Sequence, residues 1–193
     1  LHSFPTRRSS DLHIAGFAFG GSCLPKDLKA LLYMAKSADV ELPMLAHILP
    51  SNTAHIDHAV QRVLASGKRS VGLIGLSFKA GTDDLRDSPL VITAERFIGK
   101  GLQLKIFDPA VQVARLIGSN RRFIEESIPH IASLMTDDLD SLVQQAEVLI
   151  VAMKTPEVLH ALAANTRQDQ LLLDIAGLPD PGAQQAHYEG VCW

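Results

Sequence analysis

Cysteine and aromatic residues are scarce in this chain of 193 residues, and neither sign of charge dominates it. Its two cysteines, Cys23 and Cys192, are too few for a metal cage or a disulfide framework, which leaves a reducing, cytoplasmic compartment as the expectation. Aromatics make up 5% of the residues, and 18 Lys and Arg stand against 21 Asp and Glu. A nucleic-acid partner is therefore not expected, since the basic excess and the base-stacking surface are both missing. No apolar run approaches the roughly 20 residues of a membrane span, so no membrane is expected either. No signal peptide is read at the start, because no apolar segment follows Arg7 and Arg8. The G-x-G-x-x-G fingerprint of a dinucleotide site is absent from the whole sequence.

What remains is 47% hydrophobic and 20% charged, the composition of a chain that buries a core. At about 150 residues per domain the length allows one domain and an appendage. Residues 1–12, LHSFPTRRSSDL, are polar and aperiodic, and read as a disordered or foreign tail. Residues 13–67 hold a Gly-rich loop followed by a helical arm. Leu28, Leu31, Leu32 and Ala35 recur at helical spacing after Pro25. A second helix is expected from Pro43 to a C-cap at Gly67. The arm's apolar face calls for a partner.

From Ser70 the pattern changes to short apolar runs alternating with helical stretches. Strands are expected at 71–76, 104–107, 148–153 and 171–175, with shorter ones at 128–134 and 188–193. Helices are expected at 88–98, 110–118, 137–146 and 156–164. That alternation implies an α/β, doubly wound parallel sheet over residues 70–193.

Two segments carry candidate chemistry. In Gly20-Gly21-Ser22-Cys23-Leu24-Pro25-Lys26-Asp27 a thiol precedes a helix N-terminus near Lys26, where positive potential favours the thiolate. A buried structural cysteine is the competing reading. The second segment, residues 78–89, follows the first strand, where ligands of open α/β sheets bind. Lys79 and Arg86 offer donors to phosphate there, although Asp83, Asp84 and Asp87 pair equally well with them in a solvated loop. Asp83, Asp84 and Asp108 also permit a phosphoacceptor reading, which leaves the cysteine loop without a role. His55 and His58 lack a third convergent ligand, so no metal is expected.

The strings GFAFGGSCLPKD and GLSFKAGTDDLRDSP, and the ending at Gly190-Val191-Cys192-Trp193, resemble the UDP-glucose/GDP-mannose dehydrogenase family. The resemblance runs from about Gly16 to Trp193. Leu24 after the cysteine and Ala80-Gly81 after Lys79 are most similar to the branch that acts on GDP-mannose. The resemblance implies a Rossmann-like fold, NAD as cofactor, a nucleotide-sugar substrate (GDP-mannose or UDP-glucose) and a homodimer or higher oligomer built on the helical arm. It implies Cys23 as nucleophile and Asp27 as acid/base. Lys26 and Arg86 would reach NAD, while Lys79, Phe17 and Gly20 would contact the substrate. The reaction it implies oxidises the sugar C6 alcohol to a carboxylate through a thiohemiacetal and a thioester on the cysteine. An N-terminal NAD domain, the usual first part of such proteins, is not in the sequence, so the chain alone is expected to show no turnover.

Overall fold

The computed structural model describes residues 17–77, 85–111, 131–180 and 186–191. The chain opens with helices α1 (Leu24–Ser37) and α2 (Pro43–Ala65). There follow β1 (Ser70–Ile74), α3 (Pro89–Gly99), β2 (Gln103–Phe107), the single turn α4 (Ile131–Leu134), α5 (Leu139–Gln145), β3 (Val148–Val151), α6 (Pro156–Asn165), β4 (Leu171–Asp174) and β5 (His187–Gly190). The strands form one parallel sheet in the order β2-β1-β3-β4-β5.

The runs VGLI, VLIV and LLL form strands because both faces of the sheet are covered, so every position along them meets apolar neighbours. Val71, Leu73, Ile106, Ile150 and Leu173 point to one side, into a core shared with Ile56, Ala59, Val60 and Val63 of α2 and Ala94 and Phe97 of α3. Ile74, Phe107, Leu149 and Leu172 point to the other, toward α5 and α6. Gly72 lies under α5: a Cβ there would stand 2.6 Å from Leu142 Cδ2, so glycine is what lets this helix approach the sheet. Local signals set the helix starts. Ser88 Oγ accepts from Leu90 N–H and donates to Leu76 C=O at 2.7 Å, and Asp138 and Thr155 cap α5 and α6.

The helical arm is tied to the sheet more closely than its composition suggests. The C-terminal half of α2 is buried against the sheet and α3, and Arg96 of α3 forms an ion pair with Asp57 of α2. Arg62 makes two hydrogen bonds to Glu189 on the edge strand β5, at 2.9 and 2.6 Å. Among the described residues only α1, the α1–α2 turn and the start of α2 leave large apolar side chains in solvent, among them Leu31, Tyr33, Met34 and Met44. One expected strand is corrected: within 128–134 the described part, Ile131–Leu134, is a helical turn. Only the following Met135 bridges to Ile106 at the edge of β2, with Thr136 N–H donating to Ile106 C=O. Four residues cannot pair along a strand once they close a turn on themselves. The helix expected at 110–118 falls largely outside the described residues, as do Lys79, Asp83, Asp84 and Cys192.

Candidate active site

The cysteine loop is held at three points before the thiol. Phe17 is 6% exposed and packs into the core on the α2–α3 side of the sheet. Phe19 exchanges two hydrogen bonds with the side chain of Asn52 on α2: its N–H donates to Oδ1 and its C=O accepts from Nδ2, both at 2.8 Å. Gly20 lies directly on the start of α3, where a Cβ would come within 2.1 Å of Asp87 O and 2.7 Å of Pro89 Cδ. Gly21 then turns the chain at φ +84°, a conformation that favours glycine.

Cys23 is the N-cap of α1 and is exposed, with Sγ 3.8 Å from Ser22 Oγ. The buried-cysteine reading does not hold. Its backbone C=O accepts from Asp27 N–H at 2.9 Å, closing the first turn. Lys26 Nζ stands 3.4 Å from Asp27 Oδ1, and the two side chains are 72% and 69% exposed. So Cys23, Lys26 and Asp27 share one exposed helical turn. Contact between Gly20 and the Asp87 backbone brings Arg86, also exposed, alongside this loop.

The same loop forms a wall of a crevice of about 130 Å³ at the carboxyl ends of the strands. Phe17 and Ala18 line one side; Ser77 after β1, Asp108 after β2, Met153 after β3 and Ile175 after β4 line the rest. It sits over β1 and β3, where the strand order reverses. Asp108 there is 1% exposed, and its carboxylate accepts from Leu76 N–H, Ser77 N–H and Oγ, and Ala110 N–H at 2.8–3.3 Å. A buried carboxylate committed to these donors fastens the β1 loop to β2, and the phosphoacceptor reading of Asp108 fails. Asp174, 0% exposed, does the same after β4, accepting from three backbone N–H groups and from Tyr188 Oη at 2.7 Å. Burial, and then this bond to Asp174, hold the Tyr188 phenol above the ordinary tyrosine range.

A second, open groove of about 540 Å³ lies between the loop and α2, lined by Phe17, Phe19, Met44, His47, Asn52 and His55 among others. His47 Nδ1 lies 2.6 Å from Pro43 C=O, and because a carbonyl only accepts, that nitrogen carries the proton. Among the described residues no three His, Cys, Asp or Glu side chains gather to hold a metal ion, and no helix is long and apolar enough to cross a membrane.

A doubly wound parallel sheet with a crevice at its switch point and a cysteine loop along its rim defines a Rossmann-like α/β protein. Residues 72–181 match the family described as "UDP-glucose/GDP-mannose dehydrogenase family, UDP binding domain", and residues 3–54 match its central domain. The chain belongs to the UDP-glucose/GDP-mannose dehydrogenase family. It is 48% identical over 178 residues to a GDP-mannose 6-dehydrogenase of Pseudomonas aeruginosa, covering 92% of this chain and 40% of that protein. A UDP-glucose 6-dehydrogenase of Bacillus subtilis is 32% identical over 99 residues, covering 49% of this chain and 22% of that protein. The crystal structure of a ternary complex of GDP-mannose dehydrogenase from Pseudomonas aeruginosa superposes with a TM-score of 0.83 at 44% identity, over 97% of this chain and 43% of the other. The chain thus spans about two fifths of the length of these GDP-mannose relatives.

Proposed function

We propose that this chain supplies the catalytic cysteine loop and the nucleotide-sugar-binding domain of a cytoplasmic, NAD-dependent GDP-mannose 6-dehydrogenase. One observation carries the reading: the segment that places an exposed thiol at the first turn of α1 also walls the crevice at the switch point of the sheet. A nucleotide held over the strand ends therefore has its sugar delivered along the loop toward Cys23. The identity of 48% to a GDP-mannose 6-dehydrogenase supports GDP-mannose over UDP-glucose.

When bound, NAD would supply the hydride acceptor for the two oxidation steps that convert the C6 alcohol to a carboxylate. Lys26, in the same helical turn as the thiol, and Arg86, next to the Asp87 that Gly20 meets, are exposed cations whose chemistry suits the pyrophosphate of that cofactor. Cys23 Sγ adds to the carbonyl carbon of the C6 aldehyde, and the resulting thiohemiacetal keeps the aldehyde from leaving. Loss of its C6 hydrogen as hydride leaves a thioester. Asp27 takes a proton from the water that attacks the thioester, and Sγ departs as thiolate. Lys79, Phe17 and Gly20 contact the substrate in this reading. The exposed apolar residues of α1 and the α1–α2 turn support pairing with a second copy of the chain.

Titration calorimetry of the purified chain tests the substrate assignment. GDP-mannose is expected to bind and to raise the melting temperature by mass action, more than UDP-glucose at equal concentration. With NAD added, no absorbance at 340 nm is expected to develop, because the chain carries no dinucleotide fingerprint. Failure of both nucleotide sugars to bind overturns the proposal. Tighter binding of UDP-glucose transfers it to the other substrate.

A further inference from the structure

We propose that Asn52 is a positioning residue for Cys23. Its side-chain amide clamps both backbone groups of Phe19 and so fixes the loop that presents the thiol at the first turn of α1. The proposal rests on the reading that Cys23 reacts, but the clamp itself stands on geometry.

Residues 52 and 19 lie 33 positions apart, yet they form a closed pair of hydrogen bonds at 2.8 Å each. Such a pair mimics one rung of a β-ladder and satisfies an otherwise isolated loop peptide. The donor and the acceptor are both needed. Aspartate would set a second oxygen against the Phe19 carbonyl, and leucine would leave both groups of Phe19 unpaired at a half-buried site. The loop has little freedom elsewhere. Phe17 is seated in the core, Gly20 rests against Asp87 and Pro89, and only Gly21 and Ser22 separate that contact from Cys23. Asn52 is carried on α2, which is buried from Ile56 to Val63 against the sheet. The thiol is thereby referenced to the framework of the domain and not only to α1, whose apolar residues Leu31, Tyr33 and Met34 are exposed.

The test compares the full chain with Asn52→Leu and Asn52→Asp by amide hydrogen exchange and by site-resolved alkylation of Cys23. In the unaltered chain the Phe19 amide is expected to be protected by at least about tenfold. Asn52→Leu is expected to abolish that protection while peptides of β1, β3 and β4 keep theirs. The second readout is the ratio of Cys23 alkylation rates by anionic iodoacetate and neutral iodoacetamide. The thiolate fraction cancels in this ratio, which reports the local potential at Sγ and is indifferent to a loss of stability alone. Freed from the clamp, the thiol leaves its place at the first turn of α1, beside Ser22, part of the time, and the ratio is expected to fall about two- to fivefold in Asn52→Leu.

An unchanged ratio and unchanged exchange in a folded Asn52→Leu protein overturn the proposal. If that variant does not fold, the unaltered chain decides: a Phe19 amide exchanging at the rate of an unstructured peptide overturns it equally. A GDP-mannose titration on the same unaltered sample separates the two readings. Loss of Phe19 protection in the variants, with no nucleotide-sugar binding by the unaltered chain, upholds the clamp and sinks the proposed function.

Discussion

Gly20→Ala is the sharpest test of how the cysteine loop docks. The added Cβ would lie 2.1 Å from Asp87 O and 2.7 Å from Pro89 Cδ, where ordinary contact begins at 3.4 Å. The partner surface has little room to retreat. Asp87 precedes Ser88, which is 0% exposed, donates to Leu76 C=O and caps α3. The loop must therefore move off, or the start of α3 must shift. Overpacking of this kind costs about 1–3 kcal/mol. Release of the loop, with Phe17 leaving the core, costs roughly 2 kcal/mol, so either route falls in one range. For a chain of this length that corresponds to a melting temperature lowered by roughly 2–12 °C. Gly99→Ala is the control: nothing lies within 4 Å of its Cβ position, and it is the last residue of α3. That change is expected to be neutral or to stabilise by up to about 1 kcal/mol. Calorimetric melting of the two variants decides the matter. A Gly20→Ala protein that melts within about 1 °C of the parent would refute the reasoning, because it would mean that the loop stands clear of α3.

Three further predictions address the supports of the site. The Tyr188 phenol is raised above its ordinary value by burial and by its bond to Asp174, so the neutral form is favoured in the folded state. Its contribution is present below about pH 10 and is lost as pH rises through the folded value. Denaturant midpoints of Tyr188→Phe should therefore lie below the parent at neutral pH and fall less steeply above pH ~10. Glu147 is held below the ordinary carboxylate range by the Arg69 and then the Ser70 backbone N–H, at 2.8 and 2.9 Å. Glu147→Gln should lower the midpoint at pH 7, and the two curves should converge as pH falls through the folded value of Glu147, below about pH 4. Val63, 0% exposed between α2 and the sheet, loses two methyl groups in Val63→Ala. A cost of about 2 kcal/mol is expected, read from urea unfolding.

The strands were legible because a parallel sheet covered on both faces asks for unbroken apolar runs, and VGLIGL, VLIVAM and LLLDI supply them between Gly, Pro and polar punctuation. Ser88-Pro89 and Pro43 were legible for the same local reason: caps and first turns are written in adjacent residues. Cys23, Lys26 and Asp27 belong to one helical turn, so their proximity needed no tertiary information. Residues 131–134 failed because a short run rich in Ile and Leu suits a turn of helix as well as a strand, and only its neighbours decide. Asn52 left no signal. An asparagine inside a helix scores as a mild defect, and its partner lies in a loop 33 residues away. The committed carboxylates Asp108 and Asp174 were equally silent, since an Asp after a strand reads the same whether it binds a ligand or fastens a loop.

The apolar side of the arm shows most clearly what periodicity leaves out. It says that a helix face must be covered, but not by what. In α2 the covering is divided along its length. Ile56, Ala59, Val60 and Val63 are buried by the sheet, where no helix among the described residues joins β4 to β5, while Met44 near its start is exposed. That division places Asn52 at the border between the buried half and the open half. A side chain there reaches the loop while its own helix is fixed from behind. The helix that carries the clamp is consequently fixed by packing 4 to 11 residues further along α2, about 6 to 16 Å from Asn52 at 1.5 Å per residue. Changes in that packing, although remote from Cys23, act on the same frame that carries its clamp.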